Sequence, residues 1–305
     1  MSVTTSLYVK QYSDSLFRLE ERPRVPWPNH VLMVEPEFFD VLYVINPHME
    51  AMVGSVQPEK AWQEWAKIKS QFEAWGYYVH PVKAKEGLPD LVFCANQSLP
   101  CWDAELGASV VMGVMRNEQR REEVSYIEQV FAHKGLPIHR IMNGDSAEYF
   151  EGMGDVQWHP ERSLLWAGHG FRTSEQAIQK LAMFLGVPTI GLALQDERLY
   201  HLDTCFCMLN EHTVMCYPPA FCREGMRLIE HYFEHIIEVD ERECLESFAC
   251  NATAVSGNRV LLPERAPKTK AALEGMGFEV AEVSTGEFLK SGGSVYCMKL
   301  LFWSK

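Results

Sequence analysis

The chain has no excess of positive charge: its 305 residues carry 28 Lys and Arg against 41 Asp and Glu, a formal net charge of −13. Nucleic acid or an anionic membrane as the main partner calls for basic patches, so this balance argues against both. A small cationic substrate is compatible with it. No run of about eighteen apolar residues is present, and no membrane-spanning helix is expected. Met1-Ser2-Val3-Thr4-Thr5 lacks a charged segment followed by an apolar one, so no secretory signal is expected either. The nine cysteines are odd in number and follow no disulfide-scaffold spacing. Reduced thiols in a cytoplasmic protein are the expectation. Cys205 and Cys207 have C-x-C spacing, but no second pair completes a zinc set, and neither metal nor cofactor is expected. No Gly-x-Gly-x-x-Gly follows the first strand-like run, so no dinucleotide site is indicated.

What is present is an ordinary globular composition, 47% hydrophobic and 23% charged, enough for a large core, and a weak repeat. Five times an apolar strand-like run leads to an amphipathic helix and then to another strand-like run. In the first copy Phe39–Ile45 precedes a helix from near Glu59 to Trp75, and Tyr77–Val79 follows Gly76. Trp62, Trp65, Ile68 and Phe72 recur at three- and four-residue spacing, which marks one buried helix face. The second copy has Ser109–Val114, a helix near Arg120–Lys134 and Pro137–Ile141. The third has Leu164–Ala167, a helix capped by Ser174 that buries Ile178, Leu181 and Leu185, and Val187–Ile190. The fourth has Thr213–Tyr217, a helix near Glu224–His235 and Ile236–Val239. The fifth has Arg259–Leu262, a helix near Lys268–Glu274 and Phe278–Val280. Five similar units predict a closed or stacked α/β repeat architecture, with a doubly wound sheet as the rival. Residues 1–30, with Pro23, Pro26 and Pro28, read as an irregular leader, and residues 31–305 as one domain.

Between the copies lie short segments: Leu91–Asn96, Glu148–Asp155, His201–Asn210, Phe248–Ala254 and Gly292–Met298. They hold nearly all the chemically suggestive residues. The first includes Asp90 at its edge, Phe93 and Asn96, where a turn is the simpler reading. The second carries Glu151 and Asp155 around two glycines, either an acidic surface turn or carboxylates brought to a pocket. In the third, a strand would project His201 and Asp203 to the same face, a proton-transfer group beside an anion. In the last, Gly292-Gly293 supplies a turn and Cys297 follows it. Buried free cysteines are common, but acid/base group, carboxylates and thiol at equivalent points of the repeats are what a site on a common axis requires. Asn46, in Asn46-Pro47-His48 after the first strand-like run, is a further candidate that a turn explains equally well.

Glu151-Gly-Met-Gly-Asp155, His201-Leu-Asp203 and Gly292-Gly-Ser-Val-Tyr-Cys297, in this order, resemble the guanidine-modifying enzymes, or penteins. These include arginine deiminases, arginine dihydrolases, dimethylarginine dimethylaminohydrolases and amidinotransferases. The resemblance runs from about Phe39 to the C-terminus and implies a five-bladed α/β propeller with one ββαβ-like unit per blade. It implies Cys297 as nucleophile, His201 as general acid/base, and Glu151 and Asp203 as carboxylates that hold the guanidinium. Arg172, in Gly168-His-Gly-Phe-Arg172, matches an arginine that grips the substrate α-carboxylate, and Arg116 is a weaker match for a second one. Asp90, Phe93, Asn96, Asp155 and Asn46 complete the candidate substrate-binding set. Asn96 stands where deiminases carry an aspartate, and the Glu151–Asp155 motif is one residue longer than theirs. Both features resemble the arginine dihydrolase branch.

That resemblance implies a covalent thiouronium intermediate on Cys297 and hydrolysis of arginine to citrulline, ornithine or both, with ammonia released. Hydrolysis of dimethylarginine, amidino transfer to an amine and a non-catalytic binding role are the alternatives. The expected partner is a small guanidino compound, and a homo-oligomer is compatible with it.

Overall fold

The computed structural model describes residues 7–14, 17–142 and 148–304. Residues 1–6 and 15–16 of the expected leader lie outside the described residues. One unit recurs five times: an antiparallel pair of strands, then a helix, then a third strand parallel to the second. Ser98–Asp103 and Gly107–Met112 form the first such pair, and the Arg121–His133 helix leads to Ile138–His139. Val156–Trp158 and Leu165–His169 are followed by Glu175–Leu185 and Thr189–Ala193. Phe206–Met208 and Thr213–Cys216 are followed by Arg223–Tyr232 and His235–Glu238. Thr253–Val255 and Arg259–Pro263 are followed by Pro267–Gly275 and Glu279–Val283. The remaining unit draws on both ends of the chain. Leu300–Phe302 pairs antiparallel with His30–Leu32, and the Pro58–Ala74 helix connects His30–Val34 to the parallel Tyr78–Val82.

These are five separate sheets, so the doubly wound alternative does not apply and the architecture is the expected five-bladed α/β propeller. The segments that enter the five first strands touch one another in a closed circuit. Met153 N donates to Ala95 O at 2.8 Å and Ala95 N to Cys297 O at 3.2 Å. Tyr296 N donates to Asn251 O at 2.9 Å, Asn251 Nδ2 to Asp203 O at 3.0 Å and Leu202 N to Asp155 Oδ1 at 3.1 Å. Five loops far apart in sequence are thereby fixed around one centre.

The helices follow their apolar periodicity. Pro58 opens the first at a position where its missing N–H costs nothing, and Ala61, Trp65, Ile68 and Phe72 are buried on one face. Trp62 does not share that face and is 37% exposed. Ser174 caps its helix by accepting from Ala177 N at 3.4 Å, with Ile178 and Leu181 buried and Leu185 half-buried.

The first strand differs from expectation. It is His30–Val34, whose last four residues are fully buried, as befits a strand covered on both faces. Phe39–Ile45 is an irregular loop in which Leu42 and Val44 are 59% and 50% exposed. Tyr8–Val9 pairs in parallel with Thr189–Ile190, so this part of the proline-containing N-terminal region is docked as a fourth strand. Among the described residues no helix is long and apolar enough to cross a membrane.

Candidate active site

Asn46, Asp90, Phe93, Asn96, Arg172, His201 and Cys297 line one narrow cleft, together with Ile45, Met49, Arg120, Tyr200, Ser291, Gly292 and Gly293. It encloses only about 10 Å³, about the space of one water molecule. Glu151, Asp155 and Asp203 stand directly behind this wall and are all buried. Arg116 is the exception among the expected residues. Its exposed side chain donates to Phe171 O at 2.7 Å and belongs to a surface depression beside Arg172. Only its backbone N–H enters the site, donating to Glu151 Oε1 at 3.0 Å.

Cys297 is placed by the turn at Gly292, which has φ +77°. A side chain at this glycine would also meet Tyr200 Oη at 2.8 Å and Asn46 Oδ1 at 2.9 Å. The Cys297 thiol donates to Asp203 Oδ2 at 3.3 Å and accepts from Asn251 Nδ2 at 3.2 Å. Burial, reinforced by Asp203, pushes the thiol well above its ordinary range. Burial also pushes Asp203 up, to about 7. Burial thus raises both the Cys297 thiol and the Asp203 carboxyl, which lie side by side. Asp203 Oδ1 is buried without a hydrogen-bond partner.

His201 and Asp203 do not lie on a strand. They open a single 3-10 turn, Leu202–Thr204, so period-two alternation does not apply and they face different partners. His201 Nε2 meets Glu151 Oε2 at 2.7 Å, and Asp155 Oδ2 at 3.9 Å. Glu151 Oε2 also receives Arg172 Nη1 at 3.3 Å. Glu151 thus faces His201 and Arg172 through Oε2 and the Arg116 backbone through Oε1. Burial opposes its charge, but Arg172 and His201 outweigh burial and hold the carboxyl well below the usual range. Asp155 has the weaker set of partners, and burial raises it to about 6. Its Oδ1 accepts from Leu202 N, a role in fixing the His201 turn.

Three residues with no distinguishing sequence motif complete the site. Arg120 is buried and pairs with Glu123 at 2.8 Å. Asn251 lies in the fourth inter-repeat segment, and its position there was the available signal. Lys299 is fully buried, its Nζ makes no hydrogen bond, and that Nζ sits 3.1 Å from the Tyr296 ring centroid. Burial lowers it to about 7 against the pull of Asp203. A roomier cavity, about 80 Å³, is lined by Trp27, Trp158, Trp303 and other mostly apolar groups. His159 on its wall is structural, bonded through both ring nitrogens to Glu211 O and Trp166 Nε1. No cluster of metal-ligating side chains occurs among the described residues.

Residues 47–301 match the family model described as N,N dimethylarginine dimethylhydrolase, eukaryotic. The chain belongs to this family. Among its relatives is the bifunctional arginine dihydrolase/ornithine cyclodeaminase ArgZ of Synechocystis, 36% identical over 273 residues. That match covers 88% of this chain but 37% of ArgZ, so the chain spans little more than a third of that relative's length. The dimethylarginine dimethylaminohydrolase of Mycobacterium tuberculosis is 34% identical over 91% of this chain and 87% of its own. The N-terminal domain of ArgZ, crystallised as a cysteine-to-serine mutant bound to substrate, superimposes with a TM-score of 0.84 at 34% identity. That superposition covers 90% of this family member and 98% of the domain. A further structure of that domain is covalently bound to a reaction intermediate.

Proposed function

We propose that this protein is a cysteine-dependent hydrolase of the guanidine group, with arginine as substrate and two hydrolytic rounds that end in ornithine. The observation that carries this reading is the neutral amide of Asn96 in a cleft shared with Cys297, His201 and the Asp90 carboxylate. The ArgZ similarity supports it. In this reading one catalytic domain spans residues 31–305 and binds a small guanidino compound.

A guanidinium is a planar cation with donors on every edge, so the carboxylates of Asp90 and Asp203 fix its plane. Its positive charge beside Cys297 favours the thiolate. Sulfur attacks the guanidinium carbon, a C–S bond forms, and the terminal nitrogen leaves as ammonia with a proton from His201. His201 then takes a proton from water, whose oxygen attacks the thiouronium carbon. The C–S bond breaks, thiolate returns and citrulline forms. In the second round sulfur attacks the ureido carbon and ammonia leaves. Water then hydrolyses the thiocarbamate to a carbamate that separates into ornithine and carbon dioxide.

Incubation with arginine should release two ammonia per substrate, with citrulline rising and then falling as ornithine accumulates. Citrulline that accumulates without ornithine overturns the second round. The family match favours a second reading, dimethylarginine, whose leaving group is dimethylamine. Faster release of dimethylamine from dimethylarginine than of ammonia from arginine, assayed side by side, would select it.

A further inference from the structure

Asn96 is held at one end only. Its Oδ1 accepts from Arg120 Nη1 at 3.0 Å, while Nδ2 is buried with no hydrogen-bond partner. The two ends of this amide are not interchangeable, because a guanidinium has five donors and no acceptor. Whichever atom faces Arg120 must be the oxygen. Nδ2 is thereby turned toward Gly154, where a Cβ would lie 2.2 Å from it and 3.6 Å from His201 Cδ2. Only a glycine leaves room for the amide in this orientation.

Arg120 has little freedom to move. Glu123 receives its Nε and Nη2 at 2.8–3.1 Å, and the carbonyls of Asp90 and Phe93 accept from Nη2 at 3.2 and 3.1 Å. Gln97 Nε2 donates to Glu123 in turn. Glu123 and Asp90 keep Arg120 cationic against the cost of burial.

We propose that the Arg120–Glu123 pair is a positioning device that locks Asn96 as a hydrogen-bond donor, and so selects a ureido oxygen over a guanidinium at that wall. The inference rests on the guanidine-hydrolase reading above. A guanidinium offers N–H groups on every edge and leaves a fixed amide N–H2 unpaired. A ureido group brings one carbonyl oxygen, an acceptor that the same N–H2 satisfies. An amide free to turn would offer its oxygen to the guanidinium and lose the discrimination. The lock therefore offsets part of the attraction to the carboxylates that is lost when the cation becomes a neutral ureido group, and it favours retention of citrulline.

The test measures binding, so it does not depend on how many rounds the enzyme completes. In a Cys297→Ser background, L-arginine and L-citrulline are titrated by calorimetry. Arg120→Gln, which can accept as well as donate, frees the amide. It should raise the ratio of citrulline Kd to arginine Kd about tenfold, roughly the worth of one hydrogen bond. Arg120→Lys, still donor-only, should keep the ratio near that of the parent. Where Arg120→Gln alone fails to bind arginine because Glu123 is left buried and unpaired, the Arg120→Gln/Glu123→Gln double variant is used and the same shift is expected. Variants that bind arginine with the ratio unchanged, both affinities falling together, overturn the proposal, because a merely structural role weakens both ligands alike.

Discussion

Asn251 shows how one side chain positions the thiol proposed as nucleophile. Its Oδ1 accepts from the backbone N–H groups of Tyr296 and Cys297 at 3.1 and 3.4 Å. These donors force Nδ2 toward Cys297 Sγ and Asp203 O. Asn251→Asp keeps the acceptor, removes the donor and adds a negative charge beside Asp203. The variant should fold and lose about 10²-fold in kcat, the scale expected for one preorganised donor at a reacting centre, with the alkaline rise in activity displaced to higher pH. Asp203 gives a second expectation. Its carboxyl is raised to about 7 in the folded protein, so it is protonated below that pH and ionised above it. Arginine affinity, measured by calorimetry in the Cys297→Ser variant, should fall as pH drops below 7, approaching tenfold per pH unit for one proton. The same shift makes the native state bind more protons than the unfolded chain between about pH 4 and 7. Asp203 therefore contributes progressively less to stability as pH rises through that window.

At the scale of elements, the segment from Ile45 to Met49 covers the cleft. Ile45 O accepts from Arg172 Nη2 at 3.0 Å, Asn46 Nδ2 donates to Ser291 O at 3.0 Å, and the His48 ring meets Arg198 O at 2.8 Å. A space of one water cannot admit an arginine side chain, so this segment or the Ser291–Gly293 turn must move for substrate to enter. Asn46→Ala removes the bond to Ser291 and the cap on His48 N, each worth about 1 kcal/mol. KM for arginine should rise several-fold in steady-state assays while Tm changes by only a few degrees. The helices and the five inter-strand segments were legible in the sequence because burial on one face writes a period into it, as at Trp65, Ile68 and Phe72. Phe39–Ile45 misleads because its apolar residues are partly exposed in a loop, with Tyr43 tied to Asp90 through a 2.7 Å hydrogen bond. Arg120 looks like any solvated helix-start charge, and Lys299 like the edge of a strand. Nothing periodic distinguishes a residue whose partners lie on an irregular segment, and the turn geometry that separates His201 from Asp203 likewise leaves no pattern.

The whole molecule is a circuit in which each entering segment braces the next, and the unit that completes it joins His30–Val34 to Leu300–Phe302. Phe302 is 2% exposed, and its ring meets the edge of Phe131 on the neighbouring blade, centroids 5.6 Å apart. Phe302→Ala should cost about 3–5 kcal/mol. Urea unfolding followed by circular dichroism should show the midpoint falling, with arginine turnover lost along the same curve. Activity that persisted beyond the structural transition would mean that the site does not need the closed circuit.

The closing strand begins only three residues after Cys297, the proposed nucleophile, and this joins reactivity to the completion of folding. During synthesis the segments bearing Asn96, Glu151, His201 and Asn251 all emerge before the thiol that they serve. Cys297 gains its Asp203 and Asn251 contacts as the strand that ends the circuit takes its place. An incomplete chain can contain every acid, base and carboxylate of the site and still have no placed sulfur, so the proposed guanidine chemistry waits for the ring to close.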